Sequence, residues 1–317
     1  MKARVKLISM LAILSAFFLF SQCNDDDDDN GQPSQTQVQI EITDAAYDDP
    51  AIQGVYITIS EIRINGELVG DFQTETINLT DFTNGETRVI ANTTLAPQTY
   101  NSVTLTTSPS TDASGASPGN YVMANNTKYP LNGSQQITIT NDFEVSGNNT
   151  TLIIDFDLRK LLTYAGDAEA GYAWADAGTF SKGLRVINES KTGTIDGVYE
   201  EDAASDADLV VVYAYPEGTF NTVGETNTAP GAIQFPNAAA SGAVSTSLGG
   251  NTFIIPFLEE GEYTLHYAAF SLDESTGRYQ LESLLRGNVT INGSQSETVN
   301  ITAGQTADIT VTTNGSL

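Results

Sequence analysis

The chain has 317 residues, with 13 Lys plus Arg, 40 Asp plus Glu, one His and one Cys, for a net charge of −27. A surface this acidic repels polyphosphate, which excludes nucleic acid as a partner. One cysteine and one histidine exclude internal disulfides, cysteine-rich zinc sites and two-histidine metal centres.

The chain opens with Lys2, Arg4 and Lys6, then the apolar run Leu7–Phe20, broken only by Ser9 and Ser15. A basic start followed by a short apolar run has the order of a secretory signal. It falls short of the ~20 residues that span a bilayer comfortably. Residues 1–22 are therefore expected to be a signal peptide. Three basic residues and no acidic ones precede Cys23, so the remainder has 10 basic against 40 acidic residues, net −30.

Cys23 sits where the apolar run ends, in Leu19-Phe20-Ser21-Gln22-Cys23-Asn24. This segment resembles a bacterial lipobox, although Gln22 stands where a small residue is usual. The resemblance implies lipidation of the Cys23 thiol and cleavage just before it. Acyl chains stabilise attachment by about 0.8 kcal/mol per buried methylene, so two or three of them hold essentially permanently. Residues 23–36 read as a lipidated, acidic, flexible tether, because Asp25–Asp29 and the polar residues after them cannot join a core. An acidic run after a lipidated cysteine resembles the surface-export signal of one group of Gram-negative bacteria. That implies a lipid anchor in the outer membrane, with the protein facing the cell exterior.

Strand patterns fill the rest. Val38, Ile40 and Ile42 alternate with polar residues, as do Val55, Ile57 and Ile59. Ile62 and Ile64 continue after a one-residue slip, which predicts a β-bulge near Ser60 and Glu61. Asn65-Gly66 and Asn292-Gly293 predict tight hairpin turns. In Thr150–Leu158, Leu152, Ile154, Phe156 and Leu158 form one face, and Asp155 and Asp157 share the other, read as solvent-facing. A short helix is expected through Arg159–Tyr164, and a loop over Ala165–Gly178 carrying Trp174, the only tryptophan. Leu209–Tyr215 is apolar on both faces, as a central strand should be. The fold class is all-β, with two β-sandwich-like domains in tandem, 37–190 and 191–317.

With these segments placed, residues 36–190 resemble a lipoprotein-associated family known as domain of unknown function 4382. The likeness rests on Ile42-Thr43-Asp44-Ala45, Val55–Ile64, Asp155-Phe156-Asp157-Leu158-Arg159 and Gly183-Leu184-Arg185-Val186. The resemblance implies no established activity and no catalytic residue. Residues 191–317 are similar to carboxypeptidase-regulatory or transthyretin-like sandwiches. Gly193-Thr194-Ile195-Asp196-Gly197, Ala207–Tyr215 and Phe257–Leu265 carry that likeness, which implies an accessory, non-catalytic module.

No G-x-S-x-G elbow, P-loop or dinucleotide fingerprint occurs, and His266 alternates with apolar neighbours as a packed or rim residue does. The sequence therefore points to a non-catalytic cell-envelope surface lipoprotein. Its expected role is binding or adhesion, to a glycan or another envelope protein, with the membrane reached through the lipid anchor. A carboxylate-dependent glycan hydrolase and a purely structural envelope component stay open as alternatives. Tyr164, Tyr172 and Trp174 are the candidate ligand-binding aromatics. No catalytic residue or cofactor is expected; the one candidate ion is structural calcium at Asp196, Asp206 and Asp208, acids flanking the loop before the central strand.

Overall fold

Strands alternate with short turns along the whole body. First come β1 (Thr36–Ala45), β2 (Ile52–Ile64), β3 (Glu67–Leu68), β4 (Glu75–Asn78), β5 (Arg88–Leu95) and β6 (Gln98–Thr107). Then follow β7 (Tyr121–Ala124), β8 (Thr127–Pro130), β9 (Gln136–Val145), β10 (Asn149–Asp157), α1 (Leu158–Leu161), β11 (Leu162–Tyr164), β12 (Tyr172–Trp174), α2 (Ala177–Phe180) and β13 (Leu184–Asn188). The second half holds β14 (Thr192–Glu201), β15 (Leu209–Pro216), α3 (Thr222–Glu225), β16 (Ala240–Ala243), β17 (Thr252–Glu259) and β18 (Gly261–Asp273). It ends with β19 (Arg278–Ile291), β20 (Ser294–Ser296), β21 (Val299–Ile301) and β22 (Thr306–Ser316). This computed structural model describes residues 35–45, 47–164, 171–201, 207–227, 232–245 and 250–317. The expected signal peptide (1–22), Cys23, the part of the expected tether before residue 35, and Asp206 lie outside them.

The all-β expectation holds. In the first half, a four-stranded sheet ordered β13-β10-β1-β5 faces a second sheet ordered β8-β7-β2-β6-β9, with β3 and β4 paired to β2. The β-branched alternation of β1 and β2 supplies their shared core: Ile40, Ile42, Ile57, Ile59, Ile62 and Ile64 are at most 2% exposed. Each such side chain contributes about 1.5–3 kcal/mol through burial. The predicted bulge is present, since β2 shifts register against β6 between Ile59 and Glu61. That extra residue keeps both isoleucine sets facing inward. Asn65-Gly66 joins β2 to β3 with positive φ at both residues (47° and 84°), as a primed two-residue turn requires.

In the second half, one nine-stranded sheet has the main order β16-β15-β18-β19-β22-β14-β17, with β20 on β19 and β21 on β18. The sheet curls until its two edge strands meet, through an antiparallel bridge between Ser245 and Thr252. Val210, Val212 and Ala214 of β15 point into the curl, beside Leu265, Tyr267, Ile309 and Val311. Val211, Tyr213 and Tyr215 point outward, where Phe235 and Ala238 cover them. Both faces of β15 are thus buried, as its unbroken apolar run predicts. Gly197 lies under the Phe253 ring, in space that any Cβ would occupy.

Three expectations change. The loop expected over 165–178 holds, in its described part from residue 171, strand β12 with Trp174 and the start of α2. The helix expected over Arg159–Tyr164 stops at Leu161, and Leu162–Tyr164 pair with Tyr172–Trp174 as a ribbon. Thr163 and Tyr164 favour strands, and a partner strand was in reach. Asp155 and Asp157 are buried (7% and 6% exposed) and do not face solvent. The second half covers their face, with Phe257 of β17 packed on Ile153 and Ile187. All described residues belong to one compact unit, Ser34–Leu317. Among them, no helix is long and apolar enough to cross a membrane.

Candidate functional site

The buried charged residues Asp49, Asp155, Asp157 and Lys160, with Asp48, Arg159 and Arg185, gather where the first half meets the second. The parallel pairing of β1 with β10 sets Thr43 beside Asp155 and Ala45 beside Asp157 at the strand ends. Asp155 accepts from Arg185 Nε at 2.8 Å, because β13 pairs Arg185 directly opposite it. The turn into α1 then presents two adjacent cations. Arg159 forms a fork on Asp48, with Nη2 to Oδ1 at 2.8 Å, and reaches Ser241 Oγ at 3.0 Å. Lys160 pairs with Asp157 at 2.8 Å and donates to the Ala238 carbonyl at 2.6 Å. Each cation is therefore pinned from both halves of the chain.

Between these groups lies a cavity of about 130 Å³, lined by Asp44, Asp155, Arg159, Arg185, Ser241 and Phe257 among others. Asp44 Oδ1 accepts from Leu158 N at 3.2 Å, but its buried Oδ2 has no partner, and neither has Oδ1 of Asp157. Burial holds the Asp44 carboxyl well above the usual carboxylate range. The Leu158 N–H works against that rise, and Asp157 and Asp155 add to it. Burial also raises Asp155, opposed by Arg185.

The three sequence-predicted aromatics lie close together, on the β11–β12 ribbon. Tyr164 pairs opposite Tyr172, their rings edge-on at 5.4 Å, with Tyr129 5.5 Å from Tyr172 on another side. Trp174 packs edge-on against Phe180 at 5.4 Å. The Tyr164 and Tyr172 rings are covered, and Trp174 is partly exposed. Tyr172 is only 3% exposed, and its hydroxyl donates to Asp49 Oδ2 at 2.9 Å. Arg278, from the second half, lies over the Tyr164 ring at 3.3 Å and the Tyr172 ring at 5.0 Å. It also pairs with Asp49 at 2.7 Å. This is a guanidinium held in an aromatic and acidic cage. Burial pushes the Tyr47 phenol beside it up to about 12, against the pull of Arg278.

Two of the three candidate calcium ligands are described, one within β14 and one just before β15; Asp206 is outside the described residues. Asp196 is exposed on β14, in register with Asp308. Asp208 precedes β15 and accepts from Leu272 N at 2.7 Å. Between β14 and β15 the sheet order places β22, β19 and β18. Among the described residues, no three His, Cys, Asp or Glu side chains converge on a metal position. His266 stacks on Phe220 at 3.6 Å, and burial pushes its pKa down to about 4.

Sequence reasoning missed Asp48, Asp49, Lys160, Ser241 and Arg278. A usable signal was present in the scarcity of cations. Of the ten basic residues after Cys23, nine are engaged by an acid, a ring or an amide. A chain so poor in positive charge uses each cation as a fastener.

Among curated proteins, none matches this chain. Solved structures with local likeness include the Bacillus anthracis TIE protein, at 13% identity and TM-score 0.19, over 88% of this chain and 34% of that one. The chain thus spans about a third of the length of that protein. Two others are the minor pilin GBS52 of Streptococcus agalactiae (13% identity, TM-score 0.21, 88% and 96% covered) and the major pilin subunit of Bacillus cereus (10%, 0.23, 89% and 70%). At these TM-scores the likeness is one of strand-rich content and carries no argument about function. The first half is more specific: residues 35–173 match the family described as "Domain of unknown function (DUF4382)".

Proposed function

We propose that this chain is a non-catalytic surface lipoprotein, anchored through Cys23, that presents a rigid β-body for binding or adhesion at the cell exterior. The tandem arrangement 37–190 and 191–317 belongs to this reading. The junction between the halves is the observation that carries it. Arg159, Lys160 and Arg278 are each pinned across it, and such ion-paired, hydrogen-bonded seams stiffen a body. The cavity there, about 130 Å³, is smaller than the several hundred Å³ of ordinary ligand clefts. Recognition is then assigned to the outer surface and its loops, which rigid strands position.

A carboxylate hydrolase is the second reading, and one observation favours it. Asp44 and Asp155 line one cavity, and both are pushed toward the protonated form by burial. Against it stands the size of that cavity and the hold of Arg185 on Asp155. The two separate in a screen of the 35–317 body against envelope proteins and glycans, with product analysis on every glycan. Retention without cleavage supports presentation. Cleavage that disappears in Asp44→Asn with Asp155→Asn establishes the hydrolase.

A further inference from the structure

The segment Ser108–Asn120 is built of Ser, Pro, Gly, Ala, Thr, Asp and Asn, the composition of a flexible linker. In the structure it is tied down at both ends and in the middle. Ser108 N donates to Thr58 O at 2.9 Å, while Thr58 N and Oγ1 donate to Asn120 Oδ1 and Gly119 O at 2.8 Å each. Ala113 N donates to Thr76 Oγ1 at 2.8 Å, and Gly119 N to Pro109 O at 2.9 Å. A Cβ on Gly119 would collide with the Ser108 and Thr111 carbonyls, so the fold-back requires glycine there.

The fixed loop walls an open groove of about 540 Å³ against the β2 bulge and the end of β6, lined by Ser60, Thr74, Thr106, Ser110, Asp112 and Gln135 among others. That volume lies within the roughly 300–1,000 Å³ of ligand clefts. Its chemistry is unlike the rest of this acidic chain. Asp112 is the one charged lining residue, none is basic, and most of the others carry hydroxyls that donate and accept alike. Asp112 Oδ1 accepts from Ser114 Oγ at 2.7 Å and from Ser114 N and Ala116 N at 2.9 Å each. Those bonds all end on one oxygen, so the second carboxylate oxygen of this lining residue keeps its acceptor capacity.

We propose that this groove binds a neutral, hydroxyl-rich glycan, with Asp112 Oδ2 accepting from sugar hydroxyls and Thr106, Ser110 and Gln135 completing the polar contacts. This rests on the binding reading above and names its ligand class. Sialylated, sulfated and phosphorylated glycans are repelled by Asp112 and by the net charge of the body. The rigid loop limits the ordering cost of binding. With no aromatic ring among the lining residues, hydrogen bonds dominate, so single sites are weak and many copies on one membrane act through avidity.

The test applies full-length, detergent-solubilised protein to immobilised mannan, xylan, glucan and N-acetylglucosamine chains, and to sialylated and sulfated oligosaccharides. The variant Thr106→Val with Asp112→Asn keeps side-chain shape, and its melting temperature reports folding. Should that temperature fall, Ser110→Arg, an exposed change that fills the groove, takes its place. The expected result is binding to neutral chains alone, weakened about ten-fold or more in the variant by loss of one neutral and one charge-assisted hydrogen bond. Equal binding by the variant overturns the groove assignment and leaves the binding reading standing. So does preference for acidic glycans, or binding only to envelope proteins in a parallel pull-down. Binding to neither glycan nor envelope protein overturns both.

Discussion

At Asp44, burial acts most strongly against ionisation, and the nearby carboxylates of Asp157 and Asp155 add to it. The folded state therefore binds this proton more tightly than the unfolded chain does. Stability contributed by Asp44 is full below its unfolded pKa near 3.8 and is lost as pH rises through the higher folded value. Asp44→Asn copies the neutral form and keeps an acceptor for Leu158 N. We expect it to unfold at an equal or higher temperature than wild type at pH 8, and with a flatter pH dependence between pH 5 and 8. A drop at pH 8 as large as that of Asp44→Ala would show that the charge is needed. At Arg278 the opposite holds, because Asp49 is buried and loses its cation in Arg278→Met. That change should cost about 3–5 kcal/mol in urea unfolding, as breaking a buried pair does; an unchanged midpoint would contradict the cage. Asp155 and Asp157 were legible as a same-face pair. Their burial was not, because the residues that cover them lie far along the chain.

Elements set by local chemistry were readable, and those set by strand pairing or by the curl of a sheet were not. The bulge after Ile59 and the turns at Asn65-Gly66 and Asn292-Gly293 follow from spacing and from residues that tolerate positive φ. Gly293, at φ 78°, makes a direct test. Gly293→Val should destabilise by about 1 kcal/mol or more, read as a lower urea midpoint. The β11–β12 ribbon escaped notice because the strand preference of Thr163 and Tyr164 takes effect only when Tyr172–Trp174 pair with them. The meeting of β16 and β17 escaped for the same reason, as no local pattern records the curl of a sheet. The candidate site was half legible. Asp44, Asp155, Arg159 and Arg185 were read as separate family landmarks in chain order, and the pairing of β10 with β1 and with β13 brings them to one cavity.

At the scale of the molecule, the seam between the halves decides how the body behaves. The Arg278–Asp49 ion pair with its aromatic cage, the hydrogen bonds of Arg159 to Ser241 and Lys160 to Ala238, and Phe257 on Ile153 cross it. Residues 35–317 should therefore unfold in one transition, with Trp174 fluorescence and far-ultraviolet circular dichroism coinciding. In Arg278→Met the two probes should separate, because Trp174 reports only the first half. In the proposed function, acyl chains on Cys23 hold such a body at the membrane through its tether, and the body presents a groove or loop without reshaping it. The most direct test is labelling of intact host cells with a membrane-impermeant amine reagent, comparing wild type with Cys23→Ser. Strong labelling of cell-bound wild type, with the variant lost from the cell fraction, is the predicted result. A wild-type protein shielded until the cells are broken, and partitioning as the variant does, would contradict the anchored, outward-facing account.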